Sequence, residues 1–387
     1  MFFAYKSCLL KADQKEYTIS KVNMVLEILS SLTQIFVLLM YKSYYALNQN
    51  ISMTKTITIG LLFILMFSLV NYVDSINKVE SILNYFTYSG VIACLYILVN
   101  SDFSQTTRFG SELGNVNAIG MILGLSATFS LYFMLTKRKF INIIFLLIII
   151  PFILLTGSRK ALLFIFTNFI FILFYNYIIT KKNLKYAISF LVWIVLLSVI
   201  LYYLIFNVEL FYKVLGKRLE NMIDLIINQE TYENSLNTRI NMIKTGNEMI
   251  KEKPLFGYGI DNYRVLYKKH TGVSTYSHNN YIELTVGVGL IGLITYYTNH
   301  LILLINLITS IKRNAKYKLL SFTFLSILIS YSIISTTLIY YDSKHFNIIL
   351  AISSIFCLKE FRYLDLKVSN ITPKNIATFT YLRKQEY

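Results

Sequence analysis

A chain of 387 residues, 55% hydrophobic and only 15% charged, carries too little polar surface to cover a water-soluble globule, which takes about 25% charged residues. Its apolar residues gather into runs of about 17–25, long enough to cross a hydrocarbon core as helices, and their continuity argues against the alternation of a membrane barrel. The formal charge of +17, from 37 Lys and Arg against 20 Asp and Glu, would suggest nucleic acid in a soluble protein, but the placement of these charges along the chain excludes that reading.

Residues 1–21 form a basic N-terminal segment; Met1–Leu10 is short and lacks a basic region before its apolar stretch, so no cleavable signal peptide is expected. Apolar runs between charged breaks then predict ten spans, at 22–40, 57–74, 81–100, 116–135, 140–156, 160–180, 185–207, 282–309, 318–340 and 343–358. Seven spans therefore occupy 22–207 and three occupy 282–358. Between them lies a long loop at 208–281, and a basic tail follows at 359–387. With the N-terminus placed in the cytoplasm, 21 Lys and Arg fall on cytoplasmic segments and 6 on short outer loops. The other 10 lie in the long loop, which is too long to obey the charge rule. Both termini are thus predicted to be cytoplasmic and the long loop to be outside. The three cysteines set no disulfide framework: Cys94 and Cys357 sit inside apolar runs and Cys8 stands alone.

Taken in order, the polar signals lie on the outer side of this topology. Asn115-Val116-Asn117 enters the fourth span, where Gly120 and Gly124 form a GxxxG suited to close helix packing. Thr156-Gly157-Ser158-Arg159-Lys160 places two cations between the fifth and sixth spans, where simple membrane anchors are the alternative reading. Within the long loop, Ser235–Lys253 reads as an amphipathic helix. Ile240, Ile243 and Ile250 recur on one face, Ser235 or Asn237 can cap the start, and Pro254 marks the stop. Arg239 falls in its first turn, where unpaired N–H groups already favour an anion and a guanidinium adds a bidentate fork; the alternative is a solvated surface arginine.

Leu255-Phe256-Gly257-Tyr258-Gly259-Ile260-Asp261-Asn262-Tyr263 then combines glycines, aromatics and carboxamides in the manner of a turn beside a sugar, or of an ordinary turn. Ser277-His278-Asn279-Asn280-Tyr281-Ile282-Glu283 runs into the eighth span, so His278 is expected at the membrane face, where a neutral imidazole can accept a proton. Gly287-Val288-Gly289-Leu290-Ile291-Gly292 matches GxGxxG, yet it lies in a spanning helix without a preceding strand and is read as packing.

This ordered set resembles the Wzy-type polysaccharide polymerase and O-antigen ligase family of bacterial surface-glycan enzymes. The resemblance covers about residues 110–290 and rests on four elements. These are Gly157-Ser158-Arg159-Lys160-Ala161, Arg239, Pro254–Gly259, and His278-Asn279-Asn280-Tyr281 with the glycine run behind it. It implies an all-α, polytopic, GT-C-like membrane glycosyltransferase of the bacterial cytoplasmic membrane, with one large extracytoplasmic loop. Its donor is a polyprenyl-diphosphate-linked oligosaccharide, and the chain departs from many relatives in having about ten spans where they have around twelve.

On this reading Arg159 and Arg239 stabilise the departing diphosphate, with Lys160 and Arg218 as helpers, and His278 takes the proton from the acceptor hydroxyl. Glu283 is a candidate to orient the imidazole, while Asn117, Tyr258, Asn262, Asn279 and Asn280 are candidates to hold sugar hydroxyls. Attack opposite the leaving group implies inversion. No cofactor and no metal are expected, because the sequence shows no Asp-x-Asp pair and no ligand cluster with metal spacing. Membrane lipid is an expected partner, the family admits a chain-length regulator and a flippase as protein partners, and nucleic acid is not a partner. Polymerase and ligase share these motifs and differ in acceptor; polymerase is favoured by the compact outer loop. A flippase would need ionisable residues along a mid-bilayer path, and a scaffold would leave the loop Arg and His free to vary.

Overall fold

The computed structural model describes residues 39–356, apart from residue 41, residue 74 and the segments 104–107, 138–139, 181–182, 229–233 and 314–316. All regular structure among the described residues is helical. Nine of the expected spans contain a helix: α1 (Gln49–Tyr72), α2 (Ile76–Asn100), α3 (Val116–Lys137), α4 (Phe140–Leu155), α5 (Arg159–Phe174), α6 (Leu184–Asn207), α10 (Asn280–Arg313), α11 (Lys318–Ile334) and α12 (Lys344–Phe356). The first expected span, 22–40, lies outside the described residues except at its end, as do the 1–21 and 359–387 segments.

Six of these helices, α5 counted with its π-helical extension to Ile179, are long and apolar enough to cross a membrane; α4 and α11 are shorter apolar helices. The membrane reading therefore stands, with six helices of spanning length among the described residues. The expected span 318–340 is helical only to Ile334, because the chain then enters a turn at Ser335–Ser343 that is tied to the start of α10.

The core follows from small residues. In α3, a Cβ on Gly120 would lie 2.8 Å from Ala161 Cβ, and one on Gly124 would lie 2.8 Å from the Phe164 ring. The GxxxG thus lets α3 and α5 approach as expected. Around α3 and α11 a cluster including Phe129, Phe164, Phe324, Leu328, Tyr331 and Phe346 is removed from solvent.

Beyond a helical turn at Glu209–Phe211 and a π-helical turn at Tyr212–Gly216, the 208–281 segment holds three helices where one was expected. α7 (Lys217–Asn228) and α9 (Tyr263–Thr271) join α8 (Asn234–Glu252), whose bounds nearly match the predicted 235–253. The buried face of α8 differs from the isoleucine stripe: Met242, Gly246 and Met249 point inward, whereas Ile240 is exposed. Their i, i+4, i+7 spacing is as helical as that of the isoleucines, and Gly246 lets Ile282 and Tyr263 approach closely.

α10 is broken. Gly289 has φ 71° and ψ −178°, so Asn280–Val288 is a half-helix. The Pro254–Gly259 loop plugs this break. Tyr258 and Gly259 donate their N–H groups to the freed carbonyls of Val286 and Gly287 at 2.9 and 2.8 Å. Leu290 and Ile291 in turn donate to Pro254 and Leu255 at 2.8 and 3.3 Å. The glycine run is therefore a backbone junction as well as a packing feature, and its partner is the other glycine motif.

Candidate active site

The loops after α2, α4 and α6, the 253–279 segment and the 335–343 turn meet at one end of the bundle. The turn between α4 and α5 is the first wall of the site. Ser158 caps α5 by accepting from Ala161 N–H at 3.4 Å, which puts Arg159 and Lys160 in the first helical turn. The helix dipole disfavours cations at that position, so tertiary contacts to the Arg218 and Thr337 carbonyls override local preference here.

Arg159 donates to the Arg218 carbonyl at 3.0 Å, and Arg218 donates to the Gly157 carbonyl at 2.7 Å. Lys160 Nζ donates to the Thr337 carbonyl, which brings the 335–343 turn into the site. Arg108, which the sequence reading passed over, donates through Nε to the Thr156 carbonyl and through an η nitrogen to Asn117 Oδ1, both at 2.8 Å. Only its position in a charged break beside Asn115-Val116-Asn117 could have drawn notice.

His278 forms the second wall. Its φ is +57°, and its ring lies 4.2 Å from that of Tyr276. Burial pushes the imidazole down to about 4, and the charges of Lys160 and then Arg239 add to the effect. Lys160 lies within reach of the charges of Arg239, Arg108 and Arg159. Two expected cations, Arg159 and Arg239, are thus gathered with Lys160 and His278. Arg218 and Arg108 back the turn that carries Arg159 and Lys160.

Glu283 is 2% exposed, and its carboxylate accepts from the Ser277 N–H at 2.8 Å. It therefore fixes the backbone next to His278 and makes no bond to the imidazole. Asn279 Oδ1 caps α10 by accepting from Tyr281 and Ile282 N–H at 2.9 and 3.2 Å.

The remaining carboxamides correct the sequence reading. Asn280 and Asn262 have fully buried side chains. Asn280 accepts from the Tyr340 and Tyr341 N–H groups and donates to Tyr297 Oη; Asn262 accepts from Asn48 N–H and donates to the Ile260 carbonyl. Neither has a face left for a sugar. Tyr258 is likewise buried and donates to Glu252, and Asn117 is engaged by Arg108 and Ser158. These groups hold the walls of the site in place. Among the described residues no three His, Cys, Asp or Glu side chains are grouped to hold a metal.

Residues 143–297 match a family model described as O-antigen ligase, which takes in α5, the 208–281 segment and the broken half of α10. Arg108, Asn117 and the 335–343 turn lie beyond the match and complete the same site. No curated protein matches the chain.

Proposed function

The chain belongs to the Wzy and O-antigen ligase family, and we propose that it is a polymerase joining lipid-diphosphate-linked oligosaccharide units at the outer face of the cytoplasmic membrane. What supports this reading is that the charges of Lys160 and Arg239 act on the buried His278 imidazole, and that the charge of Arg159 acts on Lys160. A neutral imidazole beside fixed cations is suited to a reaction that releases a proton and a polyanion together.

In the proposed step the acceptor hydroxyl oxygen attacks the anomeric carbon, and the carbon–oxygen bond to the lipid diphosphate breaks. The hydroxyl proton passes to the His278 imidazole, and the diphosphate departs on its lipid. Negative charge grows on the leaving oxygen as this bond breaks, so cations already in place stabilise the transition state more than the ground state. Arg159, Arg239 and Lys160 fill that role. Attack from the side opposite the diphosphate inverts the anomeric centre, and the cations serve where other transferases use a metal. Ligase chemistry would use the same site with a terminal acceptor in place of a second lipid-linked unit.

The test gives purified wild-type protein and His278→Ala lipid-diphosphate repeat units in liposomes with chelator, and reads the products as a glycan ladder. A wild-type ladder that collapses to single units in the variant is the expected result. Transfer only to a foreign acceptor would make the protein a ligase, and units crossing the liposome membrane without glycosidic product would make it a transporter.

A further inference from the structure

Arg108 lies in the connection between α2 and α3, outside every motif discussed above, yet it is built into the site. Its stem packs on the α4–α5 turn so closely that a Cβ on Gly157 would lie 3.3 Å from Arg108 Cγ and 2.9 Å from the Val214 carbonyl. Gly157 has φ +57°, so the turn is shaped to admit that stem. The neighbouring backbone is fixed as well: Phe109 donates its N–H to the Leu155 carbonyl at 3.1 Å, and its ring is buried.

The Leu155 and Thr156 carbonyls belong to the C-terminal end of α4, where helix carbonyls lack partners and cations are favoured. Arg108 satisfies Thr156, and Arg218 satisfies Gly157 from the other side. The second arm of Arg108 reaches Asn117 Oδ1, which also accepts from Ser158 Oγ at 3.1 Å. One guanidinium thus joins the end of α4, the start of α3 and the cap of α5. Both of these partners are neutral oxygens, so the bonds leave its charge in the site. Burial, with the charges of Arg218 and Arg159, pushes that guanidinium down to about 10.

We infer that Arg108 is a positioning residue for glycosyl transfer: it locks the Thr156–Ser158 turn so that Arg159 and Lys160 meet the departing lipid diphosphate in register. The inference rests on the proposed transfer reaction. A lysine keeps the charge but lacks the planar fork needed to reach Thr156 and Asn117 together. The test compares Arg108→Lys and Arg108→Met in the reconstituted full-length protein, reading kcat and donor KM together with amide hydrogen exchange over 156–160.

Both variants are expected to lose about tenfold to a hundredfold in kcat, the cost of a misplaced catalytic group, with donor KM changed less than about threefold. Exchange of the turn amides is expected to rise by about tenfold or more, the sign of a lost local restraint. Wild-type kcat in Arg108→Lys would overturn the inference, since charge alone would then suffice. A raised donor KM at unchanged kcat would also overturn it, by making Arg108 a donor-binding group. Arg108→Lys keeps the test open should Arg108→Met fail to fold. A wild-type protein that makes no glycosidic product defeats the transfer reading, whereas unchanged exchange in the variants defeats the positioning of the turn.

Discussion

His278 has a left-handed backbone, a conformation that costs a residue with a β-carbon roughly 1–2 kcal/mol. The surrounding bonds hold it there: Ser277 N–H is taken by Glu283, and Ser277 Oγ donates to the Asn279 carbonyl at 2.8 Å. The ring is pushed down to about 4, first by burial and then by Lys160 and Arg239. Both causes oppose protonation, so in the free protein the ring is neutral above that value and loses its function as a base only as pH falls through it. A bound diphosphate sets negative charge beside the same cations and raises the ring's proton affinity. The acid limb of kcat/KM, which reports the free protein, is therefore expected near pH 4, and the limb of kcat at higher pH. Arg239→Gln removes one cation and should move the kcat/KM limb upward. Equal limbs near the ordinary histidine value of about 6.5 would separate His278 from the cations.

Arg159, Lys160, Arg239 and His278 drew notice in the sequence as charged or titratable groups at an expected membrane face. Arg108 did not, because a cation there looks the same whether it braces a turn or anchors a helix. The roles of the carboxamides were not legible, since Asn262 and Asn280 look alike whether they face a sugar or tie two loops, and only burial separates the cases.

At the scale of elements, two glycine motifs that the sequence separates by about thirty residues form one joint. Each of Gly257, Gly259 and Gly289 has positive φ, and a Cβ on Gly289 would lie 2.1 Å from the Leu255 carbonyl. No rotamer relieves a clash with backbone, so the plug and the residue are incompatible. Gly289→Ala is expected to lose about 2–4 kcal/mol, combining left-handed strain with broken backbone hydrogen bonds. Gly272→Ala is the control: it shares the positive φ but meets no atom within 4 Å, and should lose about 1–2 kcal/mol. Unfolding midpoints in one detergent compare the two, and equal losses would mean that the plug does not bear on stability.

Hydrophobic runs showed where the helices lie, but they could not show this break. Gly287, Val288 and Gly289 read equally well as a packing stripe, and the deciding hydrogen bonds come from Pro254–Gly259. The short helix α9 was missed for a related reason. Its buried Tyr263, Leu266 and Tyr267 follow helical spacing, but they sit between turn-forming residues that draw the reading towards a loop.

At the scale of the whole molecule, the polar walls come from distant parts of the chain. Lys55 pairs with Asp342 at 2.6 Å, Asn48 with Asn262 at 2.9 Å and Lys160 with the 335–343 turn, so the site closes only when the first and last described spans are in place. Removing α11 and α12 would leave Lys160 without its carbonyl partner even though the matched family region remained whole. The charge distribution predicts that this end of the bundle faces away from the cytoplasm, and the helix directions make that a sharp expectation. α3 starts beside the site at Asn117 and ends at Lys137, where the ammonium pairs with Glu80 at 2.7 Å. Lys137 therefore belongs to the opposite face from Lys269, which lies exposed near the end of α9. In a cysteine-free background, Lys269→Cys should react with a membrane-impermeant maleimide in intact spheroplasts, and Lys137→Cys only after permeabilisation. The reverse pattern would turn the molecule over and place the cations beside cytoplasmic lipid-linked sugars. Labelling of both positions without permeabilisation would contradict the separation of the two faces, on which the outer-face reading depends.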